Sequence, residues 1–421
     1  MNGTRDDSLP NLSGQDWLQD PALQTVLAAL GGGAEGQTRI VGGAVRNALF
    51  GRPVKDVDLA TRLPPEQVLA KAGRAGLKAV PTGIEHGTVT VVAKGRPFEV
   101  TTLRLDLETY GRHALVAFTD DWKEDARRRD FTINALYADA QGRVFDPLGG
   151  YKDIAARRVR FIGDADARIA EDFLRILRFF RLHAEYGGGP LDAEGLAACV
   201  RARHGLARLS AERLGQETLR LVGADDPLGA VTALVESGIS LDLLAGVAYL
   251  GPFAHLLRLE AKLGLKPDTM LRLAVLGCMI AEDAERLHAR LRLSRAQYAR
   301  LAAASSDWWR MDPALSEKER KHALYRMGEQ TFGDRVLATW ARRGAAADDA
   351  GWTALYRLPE RWRPPVLPWR GADLRRRGIK GGPKVGEILR AAERCWIERG
   401  FPSAQNELDE LIEEAIAGQG E

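Results

Sequence analysis

Strand-forming segments crowd the first third of this 421-residue chain and nearly vanish afterwards, and this one-way change of texture limits the fold more than any other feature. Thr38–Val41, 56–61, Thr88–Ala93 and 98–104 are rich in β-branched residues and read as strands, the last two as a hairpin around Lys94-Gly95-Arg96. The run 44–50 reads as a helix. Residues 131–137 and 143–146 add a turn of helix and a last short strand. From about Asp166 the apolar residues recur at i, i+3, i+4 and i+7 through 169–186, 211–222, 253–263, 270–281 and 295–309. A Pro-rich stretch, 359–368, leads into helices at 385–400 and 406–417. The expected fold is α+β, a small head of mixed sheet and helices on a long all-helical body.

Apolar residues make up 45% of the chain and charged residues 28%, the balance of a globular protein with ample core. No apolar run approaches the ~18 residues of a membrane span, and the polar, acidic start is not expected to be a signal peptide. Three widely spaced cysteines, Cys199, Cys278 and Cys395, make neither a disulfide framework nor a zinc site, which points to a reducing cytoplasm. The net charge of +3 hides an asymmetry: residues 357–400 carry 12 Lys/Arg against 5 Asp/Glu, and residues 401–421 carry 6 acids and no base.

Five segments carry candidate chemistry. Val41-Gly42-Gly43-Ala44-Val45-Arg46 runs from strand through glycines into helix; Gly42 and Gly43 let backbone N–H groups approach an anion, with Arg46 one turn in. An ordinary strand–helix turn reads the same way. Asp56-Val57-Asp58 places two carboxylates on one strand face, unfavourable without a cation and suited to Mg²⁺, although such pairs also occur as solvated strand ends. Glu99 interrupts an apolar strand, which is costly unless paired or at an exposed edge. Arg128-Arg129-Asp130-Phe131-Thr132-Ile133-Asn134 offers Arg129, Asp130 and Asn134 to a phosphate and a ribose, or starts a salt-bridged helix. In 171–181, Phe173, Ile176, Leu177 and Phe180 share one helix face, and Asp172, Arg175, Arg178 and Arg181 wind around the other, against a nucleotide or against solvent. No G-x-x-x-x-G-K-[ST] run occurs, which excludes a Walker-type NTPase, and no His-Asp pair occurs, which argues against an appended phosphohydrolase.

In this order, GGAVRNALFGRPVKDVDLAT, HGTVTVV…FEVTTLR, RRDFTINALYAD, FDPLGGYKD and EDFLRILRFFR closely resemble the class II tRNA nucleotidyltransferases, the CCA-adding enzymes, with the related bacterial poly(A) polymerases. A weaker match is Leu209-Ser210-Ala211-Glu212-Arg213. The dense matches cover roughly residues 38–220. Asn47 departs from the pattern, where the family usually has Asp, and is expected to weaken a supporting contact only.

The resemblance implies a polymerase-β-like nucleotidyltransferase head followed by an elongated helical neck, body and tail. The implied segments are 1–36 (N-terminal extension and helix), 37–155 (catalytic head), 156–222 (neck, base recognition), 223–355 (body) and 356–421 (tail, tRNA binding). It implies template-independent addition of C, C and A to the tRNA 3′ end from CTP and ATP. Asp56 and Asp58 would hold Mg²⁺ and Glu99 would share in proton transfer from the primer hydroxyl. Gly42, Gly43 and Arg46 would cradle phosphates, and Arg129, Asp130 and Asn134 would address ribose and triphosphate. Asp172, an acceptor, and Arg175, a donor, suit the amino-donor and ring-nitrogen-acceptor edge shared by C and A and reject G and U. Arg178 and Arg181 would serve stacking or phosphates. Lys380, Lys384 and Arg390 flank glycines before a helix, a backbone-phosphate site for tRNA or a plain Gly-rich turn. The segment 105–127 is expected to be a mobile loop that switches the site from CTP to ATP, and its 23 residues favour full CCA addition over CC addition. Poly(A) polymerase, partial addition and an inactive RNA-binding protein are the rival readings.

Overall fold

In a computed structural model, which describes residues 9–33, 36–110 and 113–418 without the side chains of 106–115, the chain divides into two units. One comprises residues 1–248 with 289–293, the other 249–288 with 294–421. The first unit carries both β-sheets found among the described residues. Strands β1 (Thr38–Val41), β2 (Asp58–Thr61), β3 (Lys78–Gly83), β4 (Thr88–Ala93) and β5 (Arg96–Thr102) are followed by β6 (Arg104–Tyr110), β7 (His113–Phe118), β8 (Tyr137–Ala138) and β9 (Val144–Phe145). Seven of them form one sheet in the order β3-β4-β5-β2-β1-β8-β9, and β6 and β7 form a separate hairpin. Only β2 and β5 run parallel in the larger sheet; its other neighbours are antiparallel. Lys94 (φ 49) and Gly95 (φ 79) make the tight two-residue turn that fixes the β4–β5 register.

The helices of this unit begin with α1 (Pro21–Ala29), α2 (Gly43–Leu49), α3 (Pro65–Arg74), α4 (Trp122–Arg127) and α5 (Gly150–Ala155), continuing with α6 (Ala165–Glu171), α7 (Leu174–Tyr186), α8 (Ala193–Ala202) and α9 (Ala211–Val222). Alternate residues of β4, Val89, Val91 and Ala93, are buried, and α1 and α3 pack on this strand. An aromatic stack fastens α7 to the head: Phe179 lies 5.4 Å from Phe161 and 6.4 Å from Phe131, ring centre to ring centre.

The second unit is helical throughout its described residues. One apolar core gathers Leu256, Phe332, Trp340, Trp352 and Leu355, and another gathers Trp369, Leu374, Ile388, Trp396 and Leu411. Its longest helix, Glu317–Arg343, escapes the periodicity reading because Gly328 (φ 74, ψ 164) breaks it and shifts the phase of its apolar stripe. The acidic final helix, Gln405–Ala417, packs on Pro383–Glu398, and its acids meet the basic segment: Arg377 pairs with Asp409 and Glu413, and Arg399 with Glu414.

Three expectations need correction. The second strand begins at Asp58, not at 56, because its partner β1 ends at Val41, opposite Asp58, where the chain turns at Gly42. The helix expected through 169–186 is broken: Asp172 is extended (φ −155) and its Oδ1 accepts the Leu174 N–H at 3.1 Å, ending α6 and starting α7 afresh. The segment 105–127 is no plain loop, since β6, β7 and α4 occupy most of it; residues 111 and 112 and the side chains of 106–115 lie outside the described residues.

Candidate functional site

The three candidate acids meet at one corner of the sheet. Asp58 is paired with Val41 across β1–β2, and the parallel register of Leu59 with Val100 puts Glu99 beside Asp58 on β5. Asp56 lies in the extended segment just before β2. All three residues reach solvent. The Asp58 carboxyl is pushed above the ordinary aspartate value, first by burial against surrounding protein and then by the Glu99 charge; Arg129 opposes this, and Asp56 adds to it. These acids therefore resist one another's ionisation. Among the described residues no group of three or more His, Cys, Asp or Glu is placed so that it could hold a metal ion. The donor set nonetheless fits a hard divalent ion: oxygen ligands only, with excess negative charge that a cation relieves.

Two arginines, Arg46 and Arg129, stand at the adjoining Gly42-Gly43 turn. Gly42 adopts φ 70, ψ −120, a conformation open to glycine, and turns β1 into α2. A Cβ there would stand 3.7 Å from Arg129 Nη1 and from the Asn134 carbonyl, so the turn lies directly against Arg129. Arg46, one turn into α2, donates from Nη1 to Asn134 Oδ1 (2.5 Å) and from Nη2 to Asn47 Oδ1 (3.0 Å) and the Tyr186 hydroxyl (2.9 Å). Asn47 thus presents an acceptor oxygen to Arg46, and its amide donates to the Pro53 carbonyl at 3.2 Å.

Arg129 donates from Nη2 to Asp125 Oδ2 at 3.0 Å, while its Nε is buried without a protein partner. Burial works against its charge, but Tyr137 and Asp125 hold the guanidinium above the ordinary arginine value. Burial would raise the Asp125 carboxyl, but Arg129, Arg128 and the Tyr137 hydroxyl overcome it and hold the group at about 2. Asp130 is likewise held at about 2, against burial, by Arg178 and Asn134. It accepts from Arg178 Nε (2.7 Å), Asn134 Nδ2 (3.0 Å) and the Phe131 N–H (2.9 Å). Asp130 therefore meets Arg178 and Asn134 inside the protein rather than standing open to a ligand.

At the α6–α7 junction, Asp172 Oδ2 accepts from Arg213 at 2.6 Å, and Arg175 pairs with Glu171 and donates to the Arg168 carbonyl at 2.7 Å. Both remain partly accessible. Arg181 is buried and bound to Glu217 at 2.6 Å and Glu185 at 2.8 Å, on the packed side of α7. In the second unit Lys380, Lys384 and Arg390 are exposed at and beyond the turn before Pro383–Glu398.

Sequence reasoning missed Asp125, Tyr137 and Tyr186. Asp125 had a readable signal, an acid three and four residues before two arginines. Tyr186 and Tyr137 had none, because their hydroxyls meet partners far away in sequence.

Comparison with known proteins fits this geometry. Residues 38–160 match the family model of the poly A polymerase head domain. The mitochondrial CCA tRNA nucleotidyltransferase 1 of Mus musculus is 32% identical over 402 residues, 93% of this chain and 91% of its own. The CCA-adding enzyme of Geobacillus stearothermophilus is 41% identical over 210 residues, 49% of this chain and 51% of its own. The crystal structure of the Bacillus stearothermophilus CCA-adding enzyme in complex with CTP superposes with a TM-score of 0.71 at 28% identity, covering 95% of this chain and 99% of that one.

Proposed function

The chain belongs to the CCA-adding tRNA nucleotidyltransferase family, and we propose that it extends the 3′ end of tRNA by C, C and A, drawing on CTP and ATP without a nucleic-acid template. The observation that carries this reading is the meeting of Asp58 and Glu99 with Gly42, Arg46 and Arg129 at one sheet corner. Acids there suit a metal, and cations beside them suit a triphosphate.

Enzymes of this family work with a divalent metal, here Mg²⁺, with Asp56 and Asp58 as its ligands. Mg²⁺ would supply charge neutralisation at the triphosphate and a more acidic primer hydroxyl. Glu99 stands beside Asp58 to accept that proton. Arg129, with a buried Nε lacking a protein partner, and Arg46 face the phosphates. Asn134, held by Asp130 and through it by Arg178, orients Arg46, and Asp172 and Arg175 read the base. Arg181 serves packing in this reading. All three cysteines are free, two buried and one half-buried, in keeping with a reducing compartment, which we take to be the cytoplasm.

Incubating the pure protein with tRNA lacking its 3′ end and one labelled nucleotide at a time tests the activity. C, then C, then A incorporation is expected; failure to add any nucleotide overturns the reading, and long A tracts favour the poly(A) rival. Two further outcomes follow from the same reading. Shortening the β6–β7 hairpin is expected to spare C addition and selectively stop the terminal A; equal loss of both gives the hairpin a structural role only. Changing Lys380, Lys384 and Arg390 together to Ala is expected to weaken tRNA binding and lower the slope of log affinity against log salt by about 2 to 3. CTP binding stays as in the parent, and an unaltered slope returns this segment to an ordinary turn.

A further inference from the structure

Helix α7 grips the head through a closed ring of side chains. Arg178 donates to Asp130, Asp130 accepts from Asn134, and Asn134 accepts from Arg46 Nη1. Arg46 Nη2 then donates to the Tyr186 hydroxyl at 2.9 Å, which returns the ring to α7 about two turns beyond Arg178. The same hydroxyl donates to Asn47 Oδ1 at 2.8 Å, and Asn47 Oδ1 also accepts from Arg46. The buried Tyr186 ring is clamped by Phe50 at 5.1 Å on centres, by the Arg46 guanidinium at 4.2 Å and by that of Arg52 at 5.0 Å.

What separates Arg46 from the other arginines of the site is the chemistry of its partners. Arg128 and Arg129 are held by the Asp125 carboxylate, and Arg178 by the Asp130 carboxylate. Among the described residues every hydrogen-bond acceptor that Arg46 reaches is neutral, Asn134, Asn47 and Tyr186, and the Glu185 carboxylate acts on it through space without a hydrogen bond. A guanidinium oriented by amide and phenol oxygens keeps its full charge for an incoming anion, whereas a bound carboxylate would offset it. Three neutral acceptors also fix the planar fork in one direction, so no ordering remains to be done when the ligand arrives.

We propose that Tyr186 is a positioning residue for nucleotide transfer: it aims Arg46 at the triphosphate without neutralising it, from the same helix that starts just after Asp172 and carries Arg175 in its first turn. This rests on the reading of Arg46 as a triphosphate contact. Base and triphosphate are then held by the two ends of one rigid element, so a nucleotide is gripped well only when both fit.

The test compares CTP with cytidine, which lacks phosphates, by titration calorimetry on the whole protein. Tyr186→Phe keeps the ring and loses the hydroxyl. It is expected to weaken CTP binding about three- to tenfold, the scale of a single ordinary hydrogen bond, and to leave cytidine binding unchanged. In an Arg46→Lys background the same change is expected to cost nothing further, because the group it aims is gone. Asn47→Ala removes the acceptor that Tyr186 and Arg46 share and is expected to give the same CTP-selective loss. Equal weakening of CTP and cytidine, no weakening of either, or an undiminished penalty in the Arg46→Lys background overturns the proposal. The separate assay for C, C and A addition by the parent protein distinguishes this from failure of the functional reading.

Discussion

Replacing Asp58 by Asn or Ala is expected to abolish nucleotide addition while raising, not lowering, the stability of the metal-free protein at neutral pH. The sign follows from the Asp58 carboxyl, which burial and then the Glu99 charge push above the ordinary aspartate value. A carboxyl whose folded value lies above its unfolded one binds its proton more tightly in the folded chain. That contribution is present at low pH and is lost as pH rises through the raised value. At neutral pH the ionised Asp58 therefore works against folding, and an uncharged side chain removes the conflict. Mg²⁺ held by these acids would relieve the same conflict in the parent, so adding it is expected to raise the parent's melting temperature and leave the variant's nearly unmoved. Asp56→Ala is expected to lose addition as well. An Asp58→Ala protein that still adds CTP within about tenfold of the parent rules out the metal assignment. A variant that melts lower than the parent without Mg²⁺ rules out the electrostatic account of the acids. Sites that trade stability for function commonly show this opposition.

Much of this site was legible in the residues because its chemistry is carried by short segments with forced local geometry. Gly42 is read correctly as a turn because the backbone there, φ 70, excludes other residues, and the β4–β5 hairpin is read from Lys94-Gly95 for a similar reason. Harder to see is which charged groups are spent on one another. The arginines of α7 look alike at a spacing of three, yet Arg181 is buried against Glu217, Arg178 binds Asp130 and Arg175 binds Glu171. The partners of Arg178 and Arg181 lie 48 and 36 residues away and leave no trace in the periodicity, whereas Glu171, four residues before Arg175, is a pair that helical spacing does offer. The break at Asp172 was hidden for a related reason. Its surroundings, Glu171 through Phe180, have a continuous helical pattern, and the interruption arises from the side chain's bond to the Leu174 N–H and its grip on Arg213 from α9. Local competition by an Asp side chain for backbone donors is strong enough to reset a helix, but its outcome depends on what else holds the carboxylate.

That break bears on the choice of base. Asp172→Ala is expected to cut the discrimination of CTP over UTP on tRNA lacking its 3′ end about tenfold to a hundredfold, the scale of one bidentate base contact worth roughly 1–3 kcal/mol. An amino group needs an acceptor, and in the proposed reading Asp172 is that acceptor and Arg175 the donor to the ring nitrogen. Without the acceptor, the carbonyl edge of uracil or guanine is no longer turned away by opposed lone pairs. Asp172 also holds Arg213 and starts α7, so its loss disturbs more than one bond. Asp172→Asn separates the two effects. An amide keeps the carbonyl oxygen that starts the helix but brings a donor to the base edge, and it releases Arg213 from its ion pair. If Asp172 reads the base, Asn is expected to tolerate UTP as Ala does while retaining the parent's melting temperature more closely. If it only holds the helix junction, Asn is expected to discriminate as the parent does. Asp56 and Asp58 are untouched in both variants, so a correctly held nucleotide still reacts, at a reduced rate. The deciding quantity is the ratio of kcat/KM for CTP to that for UTP. An unchanged ratio in Asp172→Ala removes the α6–α7 junction from base recognition and leaves its arginines as scaffold or phosphate contacts.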